Sequence, residues 1–212
     1  MRSLFWDFDG TLFNTYPMMV RAFDETLQLL GIDEIEMDDQ AYYEEMRRHS
    51  AGSAISRFAA EFNLSESEIR PPFKKLQDRL VMDSQPFPGA IEVLKWNVAN
   101  DGQNFLLTHR DSLSLSILDR FKIKGLFTDF ITSEQSFPRK PNPGALNYLI
   151  DKYSINRDHA VMIGDRKLDI EAGHNANIDG YLFDPDGIIR TTGNPEARVP
   201  LLTELLPALK RL

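Results

Sequence analysis

The apolar run Leu4-Phe5-Trp6 stops abruptly at Asp7-Phe8-Asp9-Gly10, and no second strand-like run comes until Asn104-Phe105-Leu106-Leu107. Buried strands carry continuous apolar runs, and a glycine marks the turn that ends one. Everything between these two runs is helical in pattern. Met19, Val20, Phe23, Leu27 and Leu30 recur at three- and four-residue steps up to Gly31. Tyr42 and Met46, then Ile55, Phe58, Ala59 and Phe62, then Phe73, Leu76, Leu80 and Val81 keep the same step. An interval of this length is too long for one crossover between strands. Residues 15–86 are therefore expected to form an inserted, all-helical cap domain, closed by the breaker Pro86-Phe87-Pro88-Gly89.

After the breaker, strands and helices alternate. The pattern predicts helices over 90–99, 113–121, 143–153 and about 167–173, with Asn142 as the N-cap of the third and Pro143 at its first position. It predicts strands over 104–107, 127–131 and 160–163, and a last one at 181–183. Such alternation implies a doubly wound parallel sheet with helices on both faces, a Rossmann-like α/β core. The core is expected to comprise residues 1–14 and 87–212.

Charge and composition narrow the function. Lys and Arg number 24 against 32 Asp and Glu, a net charge of −8. A chain this acidic lacks the basic stripe that nucleic acid or an anionic membrane surface requires. The absence of cysteine excludes disulfides, zinc–thiolate sites and thiol nucleophiles. No stretch reaches the roughly 18 apolar residues that span a bilayer, and Met1–Trp6 has no signal-peptide core. The expected location is cytoplasmic, and the sequence carries no feature that sets an oligomeric state.

The chemistry is expected where strands end, because open α/β sheets bind ligands beyond the carboxyl ends of their strands. Three apolar runs end in polar residues: Asp7-x-Asp9, Thr108-His109-Arg110 and Gly164-Asp165. Residues two apart at a strand end point the same way, so Asp7 and Asp9 are expected to share a side. Asp165 and Asp169, four apart at a helix start, are expected on one helix face. Four carboxylates in one crevice would repel and raise one another's pKa. A hard divalent cation relieves this, and Mg²⁺ is the usual one where phosphate is bound. A calcium loop counted from Asp7 fails at Thr11 and Met18, and His49, His109, His159 and His174 have no zinc-ligand spacing. Arg110 and Arg139 read as surface residues.

Asp7-Phe8-Asp9-Gly10-Thr11, the strand-terminal Thr108, Lys140-Pro141 and Gly164-Asp165-Arg166-Lys167-Leu168-Asp169 occur in that order. This resembles the haloacid dehalogenase superfamily, in the branch with a helical cap inserted after the first motif; phosphoglycolate-phosphatase-like phosphatases are the nearest group. The resemblance implies Asp7 as the nucleophile that forms an aspartyl-phosphate, and Asp9 as the acid and base for leaving group and water. It implies Thr108 and Lys140 as phosphate-binding residues. It also implies Mg²⁺ held by Asp7, the backbone carbonyl of Asp9 and Asp165, with Asp169 a ligand or the holder of a bound water. The expected partner is a small phosphorylated metabolite. Two departures stand out. His109 follows Thr108 where the family commonly has Asn, which makes it a possible substrate contact, and Asn14 replaces an acidic residue often found just after the first motif.

Within the superfamily, dehalogenases lack an acid two residues after the nucleophile, so Asp9 argues against dehalogenation. Sugar-phosphate mutases of this branch place a cap His about twelve residues after the nucleophile; that position is Met19, which favours hydrolysis. A non-catalytic phospholigand-binding module would be expected to have lost a carboxylate or the lysine. The segment Arg47-Arg48-His49-Ser50-Ala51-Gly52-Ser53 lies between helical patterns and reads as a loop. Its Arg47, Arg48 and His49 are the candidate cap contacts to substrate.

Overall fold

The computed structural model describes residues 1–212. Strand β1 (Ser3–Trp6) is followed by helices α1 (Tyr16–Leu29), α2 (Asp39–Arg48), α3 (Ala51–Glu61) and α4 (Glu66–Leu80). Then come α5 (Ala90–Ala99), β2 (Gln103–Leu107), α6 (Leu113–Arg120), β3 (Asp129–Ile131) and α7 (Gly144–Lys152). The chain finishes with β4 (Ala160–Gly164), α8 (Lys167–Asn175), β5 (Asp179–Phe183), β6 (Ala197–Val199) and α9 (Leu206–Leu209). Two compact units result, one of residues 1–13 with 86–212 and one of residues 14–85.

The first unit is built on one sheet of order β3-β2-β1-β4-β5-β6 with every pair parallel. β1 is buried at all four positions, as expected for a strand that carries the apolar run Leu4-Phe5-Trp6. Its neighbours are β2 on one side and β4 on the other, so the chain leaves β1 toward one sheet edge and later returns to build the other. That reversal opens a crevice at the carboxyl end of β1, the usual ligand position in such sheets.

Each face has its own core. On one, Phe5 stacks on Phe105 at 5.0 Å between ring centroids, and Leu146, Leu149, Met162 and Ala172 join them from α7, β4 and α8. On the other, Asn104 is fully buried in mid-strand yet satisfied. Its Oδ1 accepts from Trp6 Nε1 and Asn97 Nδ2, both at 3.1 Å, and its Nδ2 donates to the carbonyls of Leu94 and Leu126. With its donors and acceptor occupied, the amide avoids the cost of an unpaired buried polar group.

The second unit is helical throughout, its helices closed on an aromatic cluster. Phe23 meets Tyr42, Phe58 and Phe73 edge-on at 5.0, 6.0 and 5.7 Å, and Tyr42 meets Phe58 at 4.5 Å. These residues lie on the stripes that the helical periodicity picks out.

Several boundaries differ from expectation. The segment 47–53 is not a loop: Arg47 and Arg48 form the last turn of α2 and Ala51–Ser53 the first turn of α3. Basic residues favour a helix C-terminus, and Ser50 caps α3 by accepting from Ser53 N at 3.0 Å. β3 is shorter than expected because residues 124–126 wind into a 3₁₀ turn. α7 starts one residue late, with Pro143 at the cap and Asn142 Oδ1 accepting from Gly144 N. β6 was not expected; its three residues pair with β5 and carry an exposed Arg198 at the centre.

Candidate active site

The carboxyl end of β1 delivers Asp7 into the crevice almost fully buried. Its backbone N–H donates to Ile163 O at 2.9 Å, extending the ladder to β4 by one residue. Gly10, at φ 77°, lets the chain turn sharply, and Gly10 N donates to Phe13 O. Next to Asp7, β4 ends at Gly164 and Asp165. Asp165 therefore sits on the strand-to-helix turn and not on α8, contrary to the expected shared helix face. Asp169, three positions into α8, folds back over that turn, its Oδ2 accepting from Arg166 N at 3.1 Å. The Asp169 N–H donates in return to the Arg166 backbone carbonyl at 3.0 Å, and the two bonds fix the helix start. This arrangement is possible only because residue 164 has no side chain: a Cβ there would overlap the Asp169 carboxyl group.

Asp7, Asp165 and Asp169, all buried, each offer an oxygen within 4.8 Å of the others. Lys140 reaches them from the segment between β3 and α7. Its Nζ donates to Asp7 Oδ1 at 2.7 Å and to Leu107 O at 3.0 Å, and forms an ion pair with Asp169 Oδ1 at 2.6 Å. Burial alone would lower the lysine pKa, but the carboxylates of Asp169 and Asp7 outweigh it and the net shift is upward. For Asp7 burial dominates and pushes the carboxyl up to about 7; Lys140 opposes this, while Asp169 and Asp165 add to it. Thr11 Oγ1 lies 3.4 Å from Asp165 Oδ1, and Arg166 Nε 3.8 Å from the same oxygen.

This donor set fits a hard divalent cation. The ligand atoms are carboxylate oxygens, they converge, and Asp7 Oδ2 is buried with no hydrogen-bond partner. A buried carboxylate oxygen left unpaired is costly, and oxygen-rich sites are those Mg²⁺ and Ca²⁺ occupy.

Asp9 does not join the other three carboxylates. Its side chain turns to Arg110, whose Nε donates to Oδ1 at 2.9 Å and to Oδ2 at 3.0 Å, and whose Nη2 donates to Oδ1 at 2.7 Å. Arg110 is thus no surface residue; its side chain is 6% exposed. Arg139, by contrast, is exposed as expected. Thr108 is buried and its Oγ1 accepts from Arg110 N at 3.0 Å. His109 Nε2 accepts from the Lys140 backbone N–H at 2.9 Å. Burial, with help from Lys140 and Arg139, drops the His109 pKa to about 3, so the ring is neutral and can accept. A cavity of about 420 Å³ opens on this side, lined among others by Thr108, His109, Thr132, Arg139 and Lys140.

The model of the haloacid dehalogenase-like hydrolase family matches residues 4–189. The chain belongs to this family. Its relatives include the phosphoglycolate phosphatase of Vibrio parahaemolyticus, 27% identical over 217 residues, covering 97% of this chain and 95% of that one. The pyrophosphatase PpaX of Listeria welshimeri is 27% identical over 182 residues, covering 82% and 79%. Among solved structures, a hydrolase from Streptococcus pneumoniae is 31% identical, with a TM-score of 0.70 over 99% of this chain and 98% of that chain.

In this haloacid dehalogenase-like hydrolase the remaining candidate residues, Arg47, Arg48 and His49, belong to the helical unit. Arg47 is buried with its guanidinium over the Tyr16 ring at 5.6 Å, Arg48 pairs with Glu44 at 2.8 Å, and His49 caps α2. Sequence reasoning missed Arg110, Thr11 and Gly164 as site residues. Thr11 and Gly164 were within reach, since each lies inside a quoted motif. No helix of the chain is long and apolar enough to cross a membrane.

Proposed function

We propose that the chain is a Mg²⁺-dependent phosphatase that hydrolyses a small phosphate monoester through an aspartyl-phosphate on Asp7. The observation that carries this reading is the Asp7 carboxylate, buried at the end of β1 with one oxygen held by Lys140 and the carboxylates of Asp165 and Asp169 converging beside it. The phosphatase names of its curated relatives support the same class.

Asp7, Asp165 and Asp169, with the Asp9 backbone carbonyl, would hold the metal, which when bound supplies positive charge that offsets the phosphoryl oxygens and the carboxylates. The chain's own residues do the rest. Asp7 forms a bond to phosphorus through one carboxylate oxygen as the ester P–O bond breaks, and Asp9 gives a proton to the departing oxygen. Asp9 then takes a proton from water, whose oxygen attacks phosphorus and releases Asp7 and inorganic phosphate. Lys140 keeps Asp7 oriented and offsets charge, and Thr108 donates its hydroxyl to a phosphoryl oxygen.

The substrate class follows from space and relatives. A cavity of about 420 Å³ beside Thr108 and Lys140 suits a small metabolite, so phosphoglycolate and pyrophosphate are the first compounds to assay. The helical unit of residues 14–85 is assigned the part of a cap, with Arg47, Arg48 and His49 as its candidate contacts and a cytoplasmic setting for the whole. Phosphate release from a panel of phosphoesters, with Mg²⁺ and with chelator, tests the reading. Turnover should vanish with chelator and in Asp7→Asn; equal release by wild type and Asp7→Asn would overturn it.

A further inference from the structure

Asp9 and Arg110 are 101 residues apart in the chain yet are joined by three side-chain hydrogen bonds. Arg110 is fixed at both ends. Its N–H donates to Thr108 Oγ1 at 3.0 Å and its carbonyl accepts from Ser133 N at 2.9 Å, while its guanidinium forks onto Asp9. The two oxygens of Asp9 are not equivalent. Oδ1 accepts two bonds, from Nε and Nη2, whereas Oδ2 accepts one. A carboxylate oxygen has two lone pairs, so Oδ1 is saturated and Oδ2 retains capacity. The exposure is lopsided in the same sense: the Asp9 side chain is 20% exposed and Arg110 only 6%. The guanidinium is the buried anchor and the carboxylate is what it presents.

We infer that Arg110 is the positioning residue of the acid–base Asp9, clamping Oδ1 and presenting Oδ2 as the oxygen that gives and takes the proton. The inference rests on the phosphatase reading above. Planar, bidentate holding of a carboxylate is what arginine does and lysine cannot. Proton transfer depends steeply on such placement, since a donor must sit within hydrogen-bond reach of the departing oxygen.

Leaving-group dependence tests this, because an alkyl ester needs a proton on its departing oxygen and an aryl ester with an acidic phenol does not. kcat/KM is measured on one alkyl and one activated aryl phosphate for wild type, Asp9→Asn, Arg110→Met, Arg110→Lys and the Asp9→Asn/Arg110→Met double variant. Asp9→Asn is expected to lose about 100-fold more on the alkyl ester than on the aryl ester, the lower range of general-acid catalysis. Arg110→Met should show the same bias at about tenfold and add none in the Asp9→Asn background, as residues acting as one unit do. Arg110→Lys should recover part of it, and it carries the test alone if Arg110→Met does not fold. Equal losses on both esters, additive losses in the double variant, or an effect confined to KM would overturn the inference and leave the phosphatase reading standing. Wild type that releases no more phosphate than Asp7→Asn would overturn both.

Discussion

The Lys140 ammonium lies 2.7 Å from Asp7 Oδ1 and is almost wholly excluded from solvent, as is the carboxylate it holds. One lysine, with the more distant Arg166, thus stands against the buried carboxylates of Asp7, Asp165 and Asp169. Removing one partner of a buried ion pair is far more costly than the pair is worth, because the other charge is stranded. Lys140→Met is therefore expected to destabilise the metal-free protein by about 3–5 kcal/mol. Mg²⁺ should restore more stability to this variant than to wild type. Urea unfolding with and without Mg²⁺ measures both effects; an unchanged midpoint in the variant would contradict the charge balance described.

Gly164 makes room for Asp169. In Gly164→Ala the new methyl meets the Asp169 side chain, which must move or lose its bond to Arg166 N. Overpacking of this kind costs about 1–3 kcal/mol, and moving a proposed ligand should weaken Mg²⁺ binding as well. Calorimetric titration of Mg²⁺ into the variant should show a clear loss of affinity. Wild-type affinity would place Asp169 outside the metal's coordination.

His109 occupies the position where an amide is common in the family, and its neutral ring accepts from the Lys140 backbone. His109→Ala leaves that N–H without its acceptor, at a cost of about 1–3 kcal/mol if water cannot replace it. Phosphate release should fall with it, since Lys140 is the group displaced. His109→Asn, which keeps an acceptor, should recover much of both. Equal stability and activity in all three proteins would remove His109 from the site.

The helical unit carries its own pH dependence. Burial pushes the Asp24 carboxyl up to about 7, and Asp39, charged and hydrogen-bonded to it, adds to the effect, as does Glu25. A carboxyl whose folded pKa exceeds its unfolded value favours the fold while protonated. Its contribution is full below about pH 4 and is lost as pH rises through about 7. Asp24→Asn, which cannot ionise, should therefore gain thermal stability over wild type at pH 8 and little at pH 5. Parallel melting curves at the two pH values would show that the Asp24 pKa is ordinary.

Fold and site were legible to different depths. The parallel core could be read because β1, β2 and β4 are buried and each carries a short apolar run, Leu4–Trp6, Phe105–Leu107 and Ala160–Ile163. β6 escaped because Ala197-Arg198-Val199 is a three-residue edge strand with a charge at its centre. Asn104 reads as a polar residue ahead of the run Phe105–Leu107, and only the partners on β1 and α5 explain its burial. At the site, the carboxylates of Asp7, Asp165 and Asp169 stood out because strand ends and short spacing mark them. Arg110 did not, since an arginine is normally exposed and its partner Asp9 is distant in the chain. A separation of 31 residues hid the role of His109 beside Lys140 in the same way. Local pattern finds the groups that strands deliver; it cannot find the pairs that form only when strands meet.

Transient phosphorylation of Asp7 can be trapped directly. Mixing enzyme, Mg²⁺ and an aryl phosphate, quenching in acid within one turnover and reducing with borohydride converts an acyl phosphate to an alcohol that peptide mass spectrometry locates. Reduction is expected at residue 7 and nowhere else, with the signal absent in Asp7→Asn and enriched in Asp9→Asn, which should form the intermediate but hydrolyse it slowly. Phosphate released at the wild-type rate with no modification at residue 7, or with modification at another residue, would contradict it.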